Sequence, residues 1–244
     1  VYASVLMSAT LRPFDVTEDV LGLDSPATMA YGLAYPEANR RTYAAEVPAL
    51  FASERDDPET QETISQLLGD VIRFTPGNTL LFFPSYSEAE RYYSRLGGDA
   101  ADSELGTLIL DESGVTTEDL RQQFVASDDA ALFTSLWGTL AEGVSFDGNE
   151  ARTVAVIGVP YPQLSERMEA VQAAYDGAFE VDQDEAVGAT VGDEDAGWHY
   201  AVEIPTVRKT RQALGRVVRS PTDFGVRVLL DARYTERAEV ERVE

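Results

Sequence analysis

Gln212, Arg216 and Arg219 stand four and three residues apart in the segment QALGRVVR, a spacing that predicts one helical face carrying an amide and two guanidinium groups. From Arg208 to Arg219 there are five basic residues (Arg208, Lys209, Arg211, Arg216, Arg219) and no acidic one, in a chain of formal net charge -24. An anionic ligand is expected there. Gly215 removes a side chain just before the arginine pair, where helix, ligand or partner backbone must come close, at a cost of roughly 1 kcal/mol in helix propensity. A plainer reading stays open: an arginine-rich helix end complements its own dipole and nearby carboxylates.

A second candidate is the loop SLWGTLAEGVSFDG, Ser135 to Gly148, directly after a predicted strand, where open α/β sheets place their ligands. Gly138, Gly143, Gly148, three hydroxyls and the carboxylates Glu142 and Asp147 converge on it, offering amides and hydroxyls to a phosphate or sugar. An ordinary glycine-rich connection has the same composition. GVPYP puts Tyr161 at the same carboxyl edge, where Tyr161 and Trp137 can stack on bases or cover the core. No phosphate-binding loop is present: Lys209-Thr210 is the one place a lysine meets the pattern, and Arg208 and Glu203 hold the glycine positions. Asp111 and Glu112 in TLILDES read as acids at a strand end. His199, the single histidine, reads as structural or solvated, and the absence of cysteine excludes disulfides and thiolate metal sites within these residues.

These groups need a frame. Apolar runs at Thr79–Phe83, Thr107–Leu110, Ala131–Thr134, Thr153–Val159 and Val226–Asp231 have the continuous character of buried parallel strands. Capping-box patterns at Ser87/Glu90 and Thr116/Asp119 start helices between them. Longer helices are expected at Asp57–Arg73, Ser165–Tyr175 and Thr206–Arg219. The alternation predicts an α/β fold, a doubly wound, mainly parallel sheet with helices on both faces. YASVLMSATL reads as an opening strand in which the chain starts abruptly, which predicts a piece of a longer polypeptide. Residues 176–195 carry eight acids, no base and three glycines, and read as a solvated excursion.

Acids outnumber bases 43 to 19, Lys209 is the only lysine, and the pI is near 4.2. This composition is of halophilic type, because about 1 M salt shortens the Debye length to about 3 Å and screens carboxylate repulsion. Acidity then reports habitat rather than partner, and a DNA-binding protein in such salt relies on local contacts and stacking more than on counterion release. No run approaches the ~20 apolar residues of a spanning helix, so no membrane partner and a cytoplasmic location are expected.

Taken in order, the motifs resemble the second motor domain of the XPD/DinG family of superfamily-two DNA helicases. MSATL (Met7–Leu11) looks like motif III, NTLLFFPSY (Asn78–Tyr86) like motif IV, LAEGVSF (Leu140–Phe146) like motif V, and QALGRVVRSPTDFGVRVLLDAR (Gln212–Arg233) like motif VI and its following strand. The resemblance implies a RecA-like fold, with residues 1–12 a motif III strand carried over from the first motor domain and 13–244 the second. It implies that Arg216 and Arg219, with Gln212 beside them, act as arginine fingers toward ATP whose Mg2+ is held mainly by that first domain. Glu142 and Gly143 then link the nucleotide state to the DNA track, Ser8 and Thr10 couple the two domains, and Ser85 and Tyr86 contact single-stranded DNA, with the stacking face of Tyr161 expected beside them. Ser145 replaces the aspartate usual in E-G-x-D-F, with Asp147 near enough to substitute, and Pro84 removes an amide where threonine is common. An iron-sulfur cluster, where the family has one, belongs to the first domain.

The function expected is the carboxy-terminal motor half of an ATP-dependent DNA helicase acting in repair, inactive on its own. The rivals are a non-catalytic RecA-like module that binds DNA or a protein, and an independent α/β enzyme with a small-molecule site near Glu142 and Asp147.

Overall fold

The computed structural model describes residues 3–8, 11–12, 14–32, 35–97, 104–178 and 196–238, without the side chains of Val16, Asp19, Glu142 and residues 236–238. Thr10 and nearly all of the acidic excursion (179–195) lie outside the described residues. The chain divides into two units, Val1–Ala34 and Tyr35–Glu244. In the first, α1 (Phe14–Leu21) follows a turn in which the Thr17 hydroxyl donates to the Leu11 carbonyl at 3.0 Å. The expected opening strand is absent among its described residues: Val5 and Met7 are 80% and 88% exposed, and no second strand takes up the backbone ladder.

The second unit is built on six strands: β1 (Arg40–Ala45), β2 (Thr79–Phe83), β3 (Leu108–Leu110), β4 (Ala131–Ser135), β5 (Thr153–Ile157) and β6 (Gly225–Leu230). Their order is β1-β6-β5-β2-β4-β3 and every pair is parallel. All five apolar runs form strands: Thr79–Phe83 matches at both ends and the others shift by one or two residues at one or both ends. β1 has no counterpart among them because RRTYAA is an edge strand, mostly exposed, and carries no apolar signature.

Helices cover both faces: α2 (Pro58–Phe74), α3 (Tyr86–Arg95), α4 (Thr117–Val125), α5 (Leu140–Gly143), α6 (Glu166–Ala178), and α7 (Ala196–Trp198) running through a π-turn (His199–Glu203) into α8 (Ile204–Leu214), then α9 (Ala232–Ala238). Asp57 caps α2 by accepting from the Thr60 amide at 2.7 Å, with Pro58 in the first turn. Thr116 and Asp119 form the expected box on α4. On α3 the cap is Ser85, which accepts from the Glu88 amide at 3.3 Å, two residues earlier than the expected Ser87. Ser85-x-x-Glu88 has the same pattern, and starting there lets Ala89 and Tyr92 face the sheet.

Alternation along the strands splits the core in two. Leu80, Phe82, Leu132, Val154, Val156 and Leu229 pack under α4, α5 and α8, and Leu81, Phe83, Phe133, Ile157, Val228 and Leu230 under α2 and α3. His199 is buried, its Nδ1 3.1 Å from Glu203, as a structural histidine is. Among the described residues no helix is long and apolar enough to cross a membrane.

Candidate functional site

Because all strands run the same way, the candidate segments that directly precede or follow a strand lie at one of two edges of the sheet, about 15 Å apart for five-residue strands. At the carboxyl edge, Ser85 and Tyr86 follow β2, Trp137 follows β4 and Tyr161 follows β5. At the amino edge, the turn after α8 leads into β6 and residues 147–152 lead into β5. The connection Leu136–Arg152 cannot stay at the carboxyl edge as the sequence reading has it, since β4 and β5 are parallel and flank β2. It must cross the sheet, and Leu140, Ala141, Val144 and Phe146 bury themselves in the core on the way. Trp137 and Asp147 therefore end at opposite edges.

At the carboxyl edge Tyr86 is 46% exposed, and its hydroxyl lies where a Cβ on Gly138 would come within 2.4 Å, so that glycine is needed for the approach. Burial, reinforced by the charge of Asp111, pushes the Tyr86 phenol above its ordinary range. Asp111 itself accepts from the Thr134 hydroxyl at 2.6 Å. The one lysine, Lys209, sits 5.0 Å over the ring of Trp137, a residue 42% exposed. Tyr161 lies 5.6 Å from Trp198. Ser85 is occupied as a helix cap.

The amino edge corrects the arginine geometry. α8 ends at Leu214 and Gly215 closes it, its amide donating to the carbonyls of Arg211 and Ala213, so Arg216 and Arg219 lie beyond the helix and share no helical face. Val217 and Val218 are both buried against Gly225, and pulling them in requires the chain to turn there. Gln212 remains on the last turn, half-buried. Arg216 places its two terminal nitrogens on the carbonyls of Val144 and Ala141, clamping the crossing segment from α5 onward.

The Arg219 guanidinium is exposed, with Nη1 3.9 Å from Asp147, itself on an exposed turn. Its backbone is fixed: the carboxylate of Asp223 accepts from the amides of Arg219 and Ser220 at 2.9 and 2.7 Å and from the Ser220 hydroxyl at 2.6 Å, while the Tyr35 hydroxyl donates to the Arg219 carbonyl at 2.7 Å. Burial opposes ionisation of Asp223, but these donors and the Arg219 charge outweigh it and hold the carboxyl below its ordinary range. Asp147 stands in a turn organised by Glu150, which accepts from the Asp147 amide at 3.0 Å and holds Nη2 of Arg121 between its two oxygens at 2.6 and 2.7 Å.

Gly143 is exposed and an added Cβ would meet nothing within 4 Å. The backbone of Glu142 lies in α5. Ser8 is exposed in the first unit, and Thr10 is outside the described residues. Asp223, Glu150 and Arg121 carry the amino edge without a signal strong enough to single them out, although Ser220-x-x-Asp223 is a recognisable turn pattern.

Residues 68–243 match the helicase C-terminal domain family. The chain belongs to that family. A regulator of telomere elongation helicase 1 homolog from Drosophila willistoni is 27% identical over 197 residues, covering 78% of this chain and 19% of the relative, and the Drosophila grimshawi homolog is 26% identical over the same shares. The chain spans about a fifth of the length of these curated relatives. A solved XPD helicase superposes with a TM-score of 0.70 at 21% identity, over 96% of this chain and 40% of that one. An apo XPD structure gives 0.68 at 22% identity, over 96% and 46%. The RecA-like fold of this helicase domain is that of XPD.

Proposed function

We propose that this chain is the carboxy-terminal motor half of an ATP-dependent DNA helicase, with duties in repair in a halophilic cytoplasm. Its amino-edge turn supplies positive charge to ATP held by a first motor domain, and its carboxyl edge tracks single-stranded DNA. The observation that carries this reading is Arg219: an exposed guanidinium on a backbone fixed by Asp223 and Tyr35, whose ion pair among the described residues is a long one, 3.9 Å to exposed Asp147. A cation so placed exchanges a solvated partner for a phosphate at little cost. Arg216 is committed to two carbonyls, so in this motor it joins the finger to the motif V segment, and contact with phosphate requires it to let go of one of them.

The residues present fit one side of a nucleotide. Gln212 and Arg219 offer donors to phosphate oxygens, whereas among the described residues no three acidic, histidine or cysteine side chains come together to hold a metal. On this reading Mg2+ is held mainly by the first domain, to which an iron-sulfur cluster, where one exists, also belongs. When bound, ATP supplies the phosphoanhydride whose hydrolysis drives the cycle. Ser8 and Thr10 belong to the coupling segment in residues 1–12, and Ser85, Tyr86 and Tyr161 to the DNA track.

Mixing the chain with its first motor domain should give DNA-stimulated ATPase that the chain alone lacks. Arg219→Ala should abolish it, and an undiminished rate would remove the finger. A module that only binds DNA or protein is favoured by a different feature, the internal engagement of Arg216. That reading predicts DNA binding indifferent to ATP.

A further inference from the structure

Between β1 and α2 the chain lays a strap, residues 46–57, along the carboxyl edge. Val47 and Leu50 are buried in the core, and the Leu50 amide donates to the carboxylate of Asp231 at 3.0 Å. Leu50 and Pro84 meet over Gly158, whose φ of +71° and close neighbours exclude a side chain there. At its far end the strap is tied to α3: Arg91 donates to the Arg55 carbonyl at 2.6 Å and to Asp56 at 2.8 Å. Both ends are thus anchored, one to the strand of motif VI and the other to the helix of motif IV.

From the middle of this strap Phe51 stands 49% exposed. Its ring lies against a guanidinium, that of Arg233, 4.4 Å from the ring centroid. Arg233 is 5.4 Å from the ring of Tyr161 and is held by the fully buried Asp231 through two bonds of 2.7 Å from Nε and Nη2. One side of the Phe51 ring is therefore backed by a rigid cation, and the ring continues the row formed by Tyr161 at the same edge. Polar residues, Ser53, Glu54 and Arg55, lie two to four positions beyond Phe51, and the neighbour that backs its ring is a cation, a setting that suits the face of a base. Stacking is also the grip that molar salt weakens least.

We propose that Phe51, backed by Arg233, is a stacking platform for one base of single-stranded nucleic acid. This rests on the reading of the carboxyl edge as the DNA track and adds to it an element outside the helicase motifs. Phe51 takes the base by its face and reads no base identity, and Arg233 acts as a positioning residue that fixes the ring.

The test is fluorescence anisotropy of the full chain in molar KCl with two oligonucleotides, oligo-dT and the same oligonucleotide with abasic sites. Phe51→Leu should weaken oligo-dT binding by about five- to 150-fold, the worth of one stacked base. It should leave binding of the abasic strand unchanged, and Phe51→Trp should restore the difference. Equal losses on both strands, or none on either, overturn the platform. Unchanged DNA binding with weakened association to the first motor domain assigns Phe51 to a protein contact and also overturns it. If the unsubstituted chain binds neither strand, the DNA-track reading itself fails, a result distinct from failure of Phe51 alone.

Discussion

Arg216→Ala and Arg219→Ala, only three residues apart, should fail in opposite ways. Removing the Arg216 guanidinium strands the carbonyls of Ala141 and Val144, two residues that are 2% and 8% exposed. A hydrogen bond from a charged donor is worth about 1.5–3 kcal/mol, and water reaching the segment at exposed Gly143 recovers part of two such bonds. The expected cost is about 3 kcal/mol, or about 6–12 °C in melting temperature for a domain of this size. Arg219→Ala removes a 3.9 Å ion pair to an 82% exposed carboxylate, worth at most about 1 kcal/mol, and should leave the melting curve within about 3 °C of the parent. In ATPase assays with the first motor domain the order reverses: Arg219→Ala should lose about 10³-fold or more while still folded. Arg216→Lys should not rescue stability, because a point charge cannot serve two carbonyls as a planar fork does. Thermal unfolding by circular dichroism beside single-turnover ATPase measures both. Equal melting losses for the two alanine variants, or none for Arg216→Ala, would refute the assignment of one arginine to the clamp and the other to the ligand.

Gly143→Ala should leave stability unchanged or raise it by up to about 1 kcal/mol, since nothing within the domain opposes a Cβ there. A fall in DNA-stimulated ATPase at unchanged melting temperature would show that a partner backbone approaches the glycine. Asn78→Ala should cost about 3 kcal/mol in urea titration: its two amide hydrogens serve the carbonyls of Phe124 and Ser127 at 2.8 Å, with that of Glu150 sharing them at 3.2 Å, and its oxygen accepts from the Ala130 amide. An m-value equal to the parent's confirms a lost contact within an intact fold. Asp223 has its carboxyl pKa lowered in the folded chain, so its stabilisation is present in full above the unfolded value of about 3.9 and disappears as pH falls through the folded value. Asp223→Asn should therefore be less stable than the parent at pH 7, with the gap closing on acidification; a gap of the same size at pH 2 would contradict it.

The strands and the family were readable because buried parallel strands are runs such as TLLFF, whose apolar character tolerates no substitute. Helix ends were readable where a side chain makes the cap, as at Asp57 and Thr116, and slipped at Ser85 because two serines in one turn offer the same hydroxyl. β1 was invisible because an exposed edge strand is held by its backbone ladder to β6 alone. The arginine pair was visible as charge, but its geometry was not: the three-residue spacing of Arg216 and Arg219 fits a helix as well as a turn, and the cap at Gly215 with the burial of Val217 and Val218 against Gly225 decides for the turn. Edge assignment was lost for a related reason. Which end of the sheet a residue reaches depends on strand order, and the order β5-β2-β4 that forces motif V across the sheet leaves no local trace.

That crossing gives the proposed motor a physical route between its two ligands. The segment from Trp137 to Asp147 spans the full height of the sheet, with an aromatic at one edge and the partner of Arg219 at the other. Its middle is buried in the core and pinned by Arg216, so it moves as a unit or not at all. In a motor of this design, drawing Arg219 away from Asp147 toward a phosphate frees the lower end of the same segment whose upper end carries Trp137. Arg216, three residues from the finger, feels both events. Coupling then needs no long chain of side chains, because one stretch of backbone already belongs to both edges. A variant that severs it, Arg216→Ala stabilised elsewhere to restore its melting temperature, should hydrolyse ATP while losing the stimulation by DNA. Stimulation preserved in that background would place the route outside the motif V segment.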